Sequence, residues 1–471
     1  MDEPKTYAHF TGRLVIIGFG SIGQGVLPLI LRHIALDPSQ ITIVTAEDWG
    51  GEEAAGYRVG FVVEALTREN YRRVLDSLIG KGDFILNLSV EVSSIALIAF
   101  AQEKGALYLD TCIEPWAGGY TDTTLSLAKR TNFALREAAL ALRQRFPSGP
   151  TALLTHGANP GMVSHFVKQA LLNIGRDTGV ADSPTDRAGW AALAQKLGVK
   201  VIHIAERDTQ KSRVPKRAGE FVNTWSIDGF VGEGCQPAEL GWGSHEKALP
   251  PDGHRIDEGS KMAVYLDRPG AATRVRSWTP RAGAFHGFLI THNEALSIAT
   301  YLTVGEGDQP EYRPTVHYAY HPCDDAVLSI HELAGRNFRQ QPEQRLLMED
   351  VVDGVDELGV LLMGHVRGAY WYGSQLSVGQ ARSLAPFNNA TSLQVTSAVL
   401  SGMVWAIRHP DAGIVEADDI DFREALAIQT PYLGPMVGAY SDWTPLLGRG
   451  TLFDEDLDMT DPWQFKNFRV T

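Results

Sequence analysis

The chain has 471 residues, with 42 Lys plus Arg against 56 Asp plus Glu and a formal charge of −14. At about 100–200 residues per domain this length calls for more than one folding unit, and 44% hydrophobic with 21% charged residues is a globular balance that excludes disorder as the main state. A net negative surface disfavours the Lys- and Arg-dependent neutralisation of a phosphate backbone, so nucleic acid is excluded as the expected partner and cationic small molecules are favoured.

The first element is an apolar run at residues 13–17 that enters Gly18-Phe-Gly20-Ser21-Ile22-Gly23 and leaves into a helical pattern over 26–34. Strand-like runs at 41–44, 60–63, 84–88, 107–109 and 152–155 alternate with helix-like stretches at 68–79, 93–104 and 123–145. This alternation predicts an α/β architecture, with an N-terminal Rossmann domain over residues 1–155 built on a doubly wound parallel sheet. An α+β substrate and dimerisation domain is expected over 156–387. It opens with strands at 199–205 and 220–227, includes 263–266 and 319–320, and has runs at 327–334 and 360–366 that suit either strand or short helix. Residues 388–408 read as helix, and the acidic remainder of the 388–471 segment is expected to pack back on the first domain.

Cys112, Cys235 and Cys323 are far apart and odd in number, so neither a disulfide framework nor a metal site is expected. No apolar run approaches the ~18 residues of a membrane helix, and the start of the chain is polar and acidic, which gives the expectation of a soluble, cytoplasmic protein without a membrane partner.

Gly18, Gly20 and Gly23 have the spacing of a dinucleotide fingerprint. In turn they permit the tight turn, let a pyrophosphate approach the backbone and allow close helix–strand packing, while Ser21 and Ile22 open the helix whose N–H groups face the phosphates. Glu47, after the second strand, is the expected ribose-binding acid; it would accept bonds from the ribose hydroxyls and repel a 2′-phosphate, favouring NAD over NADP, although a solvated loop acid reads the same way. Asn87, Ser89 and Thr111, at the ends of the next strands, suit the nicotinamide end, and Glu91 and Glu114 would put carboxylates at the crevice. Cys112 has no sequence-near histidine to activate it and reads as a small buried hydrophobe.

Asn159, in His156-Gly-Ala-Asn-Pro-Gly161, either caps a following helix or presents an amide at the domain junction. Glu206 closes a strand, Trp225 is expected at the end of another, and Glu233 lies in a Gly-rich stretch read as loop. An indole face attracts an ammonium or iminium for about 0.5–2 kcal/mol, and charge-assisted carboxylate bonds add about 1.5–3 kcal/mol each, so two acids and an indole make a diamine site. Taken singly, Trp225 also reads as a core aromatic and each acid as a surface residue.

Gly18-Phe-Gly-Ser-Ile-Gly23, His156-Gly-Ala-Asn-Pro-Gly161, Asn223-Thr-Trp225-Ser and Ile290-Thr-His292-Asn-Glu together resemble the bacterial homospermidine synthases, of the saccharopine dehydrogenase-like superfamily, over essentially the whole chain. The resemblance implies an NAD-dependent homodimer that condenses two putrescine molecules into homospermidine and ammonia by amine oxidation, imine transfer and Schiff-base reduction, with NAD recycled. It also implies that Trp225 is a cation–π residue, that Glu206 and Glu233 are amine-site carboxylates, and that Asn159 and His292 lie near the reacting centre, with Glu114, Glu91 and an acid of the 355–358 segment as further matches. Glu206, Glu233 or His292 could serve as base. A carboxyspermidine- or saccharopine-type NAD(P)H reductase is the alternative. Such an enzyme needs arginines aimed at a carboxylate, for which Arg207, Arg213 and Arg217 are near enough in sequence. An NAD-sensing protein without catalysis is the non-enzyme alternative.

Overall fold

The computed structural model describes residues 5–180, 182–307 and 309–470; Asp2 and Glu3, the acidic residues at the start of the chain, lie outside these. Strands β1 (Leu14–Ile17), β2 (Ile41–Thr45), β3 (Gly60–Val63), β4 (Phe84–Asn87), β5 (Leu107–Asp110) and β6 (Ala152–Leu154) run parallel in the spatial order β6-β5-β4-β1-β2-β3. All residues of β1, β4, β5 and β6 are buried, because helices cover both faces of the sheet. Helix α1 (Ser21–His33) and the helix Ala390–Arg408 pack on one face, and Ser94–Lys104 packs on the other. The strand order reverses between β1 and β4, which opens a crevice at their carboxyl ends.

The second sheet has eleven strands among the described residues. Its centre is formed by β7 (Val201–Asp208), which pairs in parallel with β9 (Thr315–His321) and antiparallel with β10 (Val355–His365); β10 then pairs with β11 (Gly368–Ser377). β8 (Glu220–Asn223) stands outside this sheet, paired with Glu343–Leu346. In the central register Glu206 lies opposite Tyr320 on one side and Leu358 on the other, and Asp208 lies opposite Asp356. Because side chains alternate between faces, Glu206, Asp208, Tyr318, Tyr320 and Asp356 share one face.

Several expectations change here. The run 220–227 is strand only to Asn223; Trp225 sits in the bend after it, just before helix α2 (Ile227–Cys235), which is capped by the Ser226 hydroxyl accepting from the Gly229 N–H. Glu233 therefore stands on a helix and not in a loop. The ambiguous run 327–334 is helix (Asp324–Gly335), and 360–366 belongs to β10. The C-terminal segment divides between the two sheets: β12 (Ile414–Glu416) extends the first sheet beside β6, whereas β13 (Met436–Ser441) and Arg469–Val470 join the second. Helix Ala390–Arg408 has the length and mean hydropathy (1.3) of a membrane span, against expectation, but 89% of that apolar window is buried inside the fold. Its cap, Asn389, also donates to the carbonyls of Thr224 and Leu347, tying the helix to the bend that carries Trp225.

Candidate active site

A cleft of about 730 Å³ opens at the carboxyl ends of β1, β2 and β4, lined by Gly18, Gly20, Ser21, Ile22, Glu47, Trp49, Glu64, Ser89 and Glu91 among others, within the roughly 300–1,000 Å³ of ligand sites. The fit to a dinucleotide can be read from the glycines. Gly18 has φ +86°, and a Cβ there would lie 2.8 Å from the backbone of Leu88 and Ser89. Gly20 is different: its Cβ would meet only Trp49, at 3.8 Å, and would fill the open cradle at the start of α1. Gly23 and Asn87 do not line the cleft. Gly23 packs the helix onto the turn so closely that a Cβ there would lie 2.8 Å from the Gly18 carbonyl oxygen, and Asn87 is buried, its Oδ1 accepting from the Ser89 hydroxyl at 2.6 Å and its Nδ2 donating to Tyr108 at 3.3 Å. Asn87 therefore meets the cleft through its bond to Ser89, and not by lining it as expected. Among the described residues lining the cleft there is no lysine or arginine, while Glu47, Glu64, Glu91 and Asp228 are all present.

A second cavity of about 110 Å³ adjoins the first across Ile22, Leu88, Ser89, Val90 and Ser226. It brings together Glu114, Asn159, Glu206, Trp225, Glu233 and His292, which are up to 178 residues apart in the chain, with Thr111 and Cys112 beside them. An apolar cavity of about 150 Å³ holds benzene, so this volume suits one small molecule. Asn159 Nδ2 donates to Glu206 Oε2 at 3.0 Å, and the Tyr318 hydroxyl donates to the same oxygen. The helix after Asn159 is capped by Gly161, so the capping reading of Asn159 gives way to the amide contact. Trp225 Nε1 donates to Tyr320 at 3.0 Å, and its ring lies 5.2 Å from that of Phe230. His292 Nε2 is 3.0 Å from Glu233 Oε2, and its Nδ1 is 3.3 Å from Glu294 Oε1. Glu114 Oε2 accepts from the Glu91 N–H at 3.0 Å.

The electrostatics are lopsided. Burial pushes Glu114 up to about 8, with Glu233 adding repulsion, and burial likewise raises Glu206 to about 8 despite the hydrogen bond from Tyr318. Behind Glu206, burial also raises Asp208, to about 6, and Asp356. Burial would lower His292, but Glu233 and Glu294 outweigh it and raise the imidazole to about 10. Burial and the acids Glu114 and Glu233 push the Cys112 thiol well up, which keeps it protonated. Elsewhere the chain pairs a buried acid directly: burial would raise Glu416, but two bonds from Arg136, at 2.7 and 2.6 Å, hold it below the usual range. The cavity acids have no such arginine. Glu233 is paired with His292, but Glu114 and Glu206 form no ion pair among the described residues, and because an unpaired buried carboxylate is costly these two are suited to a cation that arrives from outside.

Sequence reasoning missed Tyr318, Tyr320, Glu294, Thr391 and Val395. The two tyrosines share one face of a strand, Thr315–His321, with Val316, while Thr315, His317 and His321 take the other, so the alternation did not point to the tyrosine face. Thr391 and Val395 reach the cavity from a helix remote in sequence. Arg207 donates to Asp324 at 3.0 Å, and neither it nor Arg213 or Arg217 lines the cavity.

Residues 14–153 match the saccharopine dehydrogenase NADP binding domain, and residues 157–440 the saccharopine dehydrogenase C-terminal domain. The chain is 56% identical to the homospermidine synthase of Blastochloris viridis, over 100% of both chains, and 54% identical to that of Mesorhizobium japonicum (strain LMG 29417 / CECT 9101 / MAFF 303099), over 98% of this chain and 97% of the relative. It belongs to the homospermidine synthase family. The crystal structure of the Legionella pneumophila homospermidine synthase in complex with NAD superposes with a TM-score of 0.91 at 50% identity, covering 98% of each chain. Yeast saccharopine dehydrogenase (L-Glu forming) shares the fold alone, with a TM-score of 0.51 at 10% identity over 91% of this chain and all of that one.

Proposed function

We propose that this chain is an NAD-dependent homospermidine synthase that condenses two putrescine molecules with release of ammonia, in the cavity bounded by Glu114, Asn159, Glu206, Trp225, Glu233 and His292. The observation that carries this reading is the charge of the lining: three carboxylates and an indole, with no lysine or arginine among the described residues and with the one imidazole, His292, already engaged on both nitrogens by Glu233 and Glu294. A site for an amino or keto acid needs the opposite charge at its carboxylate, which disfavours the reductase alternative.

Gly18, Gly20, Ser21, Ile22 and Ser89 would hold the cofactor's phosphates and nicotinamide end, and Glu47 its adenosine ribose. Bound NAD supplies a hydride acceptor and, later in the cycle, the donor that returns the hydride. The residues do the remainder. Glu206 and Glu114, raised by burial to about 8, are poised to take ammonium protons near neutral pH, as a base matched to its working range should be. Asn159 and Tyr318 fix the Glu206 carboxylate, so its bond to the amine forms without reorganisation. The Trp225 face and Glu233 stabilise iminium charge, and the enclosing walls exclude the water that would hydrolyse it. The sequence resemblance adds a homodimer in the cytoplasm, testable by sedimentation and cell fractionation.

The test is substrate class. Purified enzyme should turn over with putrescine and NAD⁺ and stay inert with NAD(P)H plus keto acids; turnover only with a carboxyl-bearing partner would favour the reductase, and none with either would favour the sensing protein.

A further inference from the structure

We infer that Glu294 is a positioning residue that keeps His292 a fixed cation, which removes the imidazole from service as a base and aims one oxygen of Glu233 at the substrate. The inference rests on the functional reading above for its meaning but not for its geometry.

Glu294 stands in the first turn of α3 (Asn293–Tyr301), is fully buried, does not line the cavity, and hydrogen-bonds to His292. Its Oε1 lies 3.3 Å from His292 Nδ1, while Glu233 Oε2 lies 3.0 Å from Nε2 on the opposite side of the ring. A neutral imidazole has one donor and one acceptor nitrogen. Flanked by two carboxylates, the ring can satisfy both only with a proton on each nitrogen, which is the imidazolium. Glu294 Oε2 has no hydrogen-bond partner, so packing a charge at this position is not explained by a satisfied structural network.

The consequence reaches the cavity. With Oε2 bound to the imidazolium, Glu233 has Oε1 left for the ligand, on the side where Cys112 Sγ lies 3.8 Å away. The other groups facing His292 are Tyr318, with ring centroids 4.5 Å apart, and beyond it Glu206, which Tyr318 contacts directly; Glu114 lies beyond Glu233. None of these supplies a second positive charge. Base duty then falls to Glu206 or Glu114, and a proton path through His292 is closed.

Glu294→Gln tests this, since the amide oxygen still accepts from Nδ1 but carries no charge. In the full-length enzyme labelled at histidine, with His292→Asn supplying the signal assignment, NMR should find the wild-type His292 ring doubly protonated from pH 6 to beyond pH 8. In Glu294→Gln the midpoint should fall by about 1–3 units, the shift expected from removing a charge at this range, and the pH profile of kcat/KM should gain a limb that wild type lacks. Thermal unfolding reports whether the variant folds; if it does not, the wild-type titration decides alone. A neutral His292 in wild type at pH 7, or an unchanged midpoint and profile in a folded Glu294→Gln, would overturn the inference. Failure of the synthase reading looks different: wild type would form no homospermidine, whatever the ring's protonation.

Discussion

The Trp225 indole donates to Tyr320 at 3.0 Å, and Tyr320 lies directly opposite Glu206 in the pairing of β9 with β7. The aromatic platform and the carboxylate are thus fixed to one sheet face, although Trp225 itself stands in a bend. Trp225→Phe keeps a weaker ring quadrupole and should retain part of the activity. Trp225→Ala should lose more, by about 0.5–2 kcal/mol, or roughly two- to thirtyfold in kcat/KM. Tyr320→Phe should keep the stack with Tyr318, whose rings lie 5.0 Å apart, but free the indole and raise KM. Equal loss in Phe and Ala variants, with the alanine protein unfolded, would make Trp225 a core residue.

The raised carboxyls set a direction with pH. A carboxyl whose pKa is higher folded than unfolded contributes stability in full below its unfolded value, and loses it as pH climbs to the folded one. For Glu114 and Glu206 that window runs from the ordinary carboxylate range up to about 8. Urea unfolding should show the ligand-free enzyme losing stability across it. Glu206→Gln and Glu114→Gln should each flatten the slope, and saturating putrescine should restore stability at the alkaline end. For activity the sign is reversed, since the ionised form is the base: turnover should rise through this range, and Glu206→Gln should cost about 1.5–3 kcal/mol, or ten- to a hundredfold.

Cofactor choice should follow the cleft's charge. Without a cation among its described lining residues and with Glu47 present, NADP should substitute poorly for NAD. Gly20→Val should abolish NAD binding in calorimetry without lowering the melting temperature, since nothing but Trp49 lies near that Cβ. Equal affinity for both cofactors would remove the ribose-acid argument.

Diamine length should matter too, because Glu206 and Glu233 are separated by an intervening Tyr318–His292 stack. Putrescine should outperform a monoamine and a diamine several methylenes longer in steady-state assays. A flat dependence would argue against these acids as the selecting pair.

The glycine turn, the strand–helix alternation and the Asn159 loop were legible because each depends on local chemistry. Glu233 was misplaced because α2 carries Gly229, Gly232 and Gly234, each costing about 1 kcal/mol against alanine in a helix. Packing explains at least one of them: a Cβ on Gly232 would come 2.9 Å from the Tyr120 ring. The split of the C-terminal segment was invisible because β12 is only three residues long and finds β6 across some 260 residues of chain. Glu294 reads in sequence as an ordinary first-turn acid. Its meaning appears only when the fold brings Glu233 to the other side of His292.

The central claim is that the hydride is returned within one catalytic cycle, and a single tube tests it. Enzyme, a trace of NAD⁺ and excess putrescine are mixed, with absorbance, homospermidine and ammonia followed together. The account predicts homospermidine and ammonia in equal amounts, many turnovers per NAD⁺ and no lasting rise in nicotinamide absorbance. Steady NADH accumulation matching product one for one would contradict it.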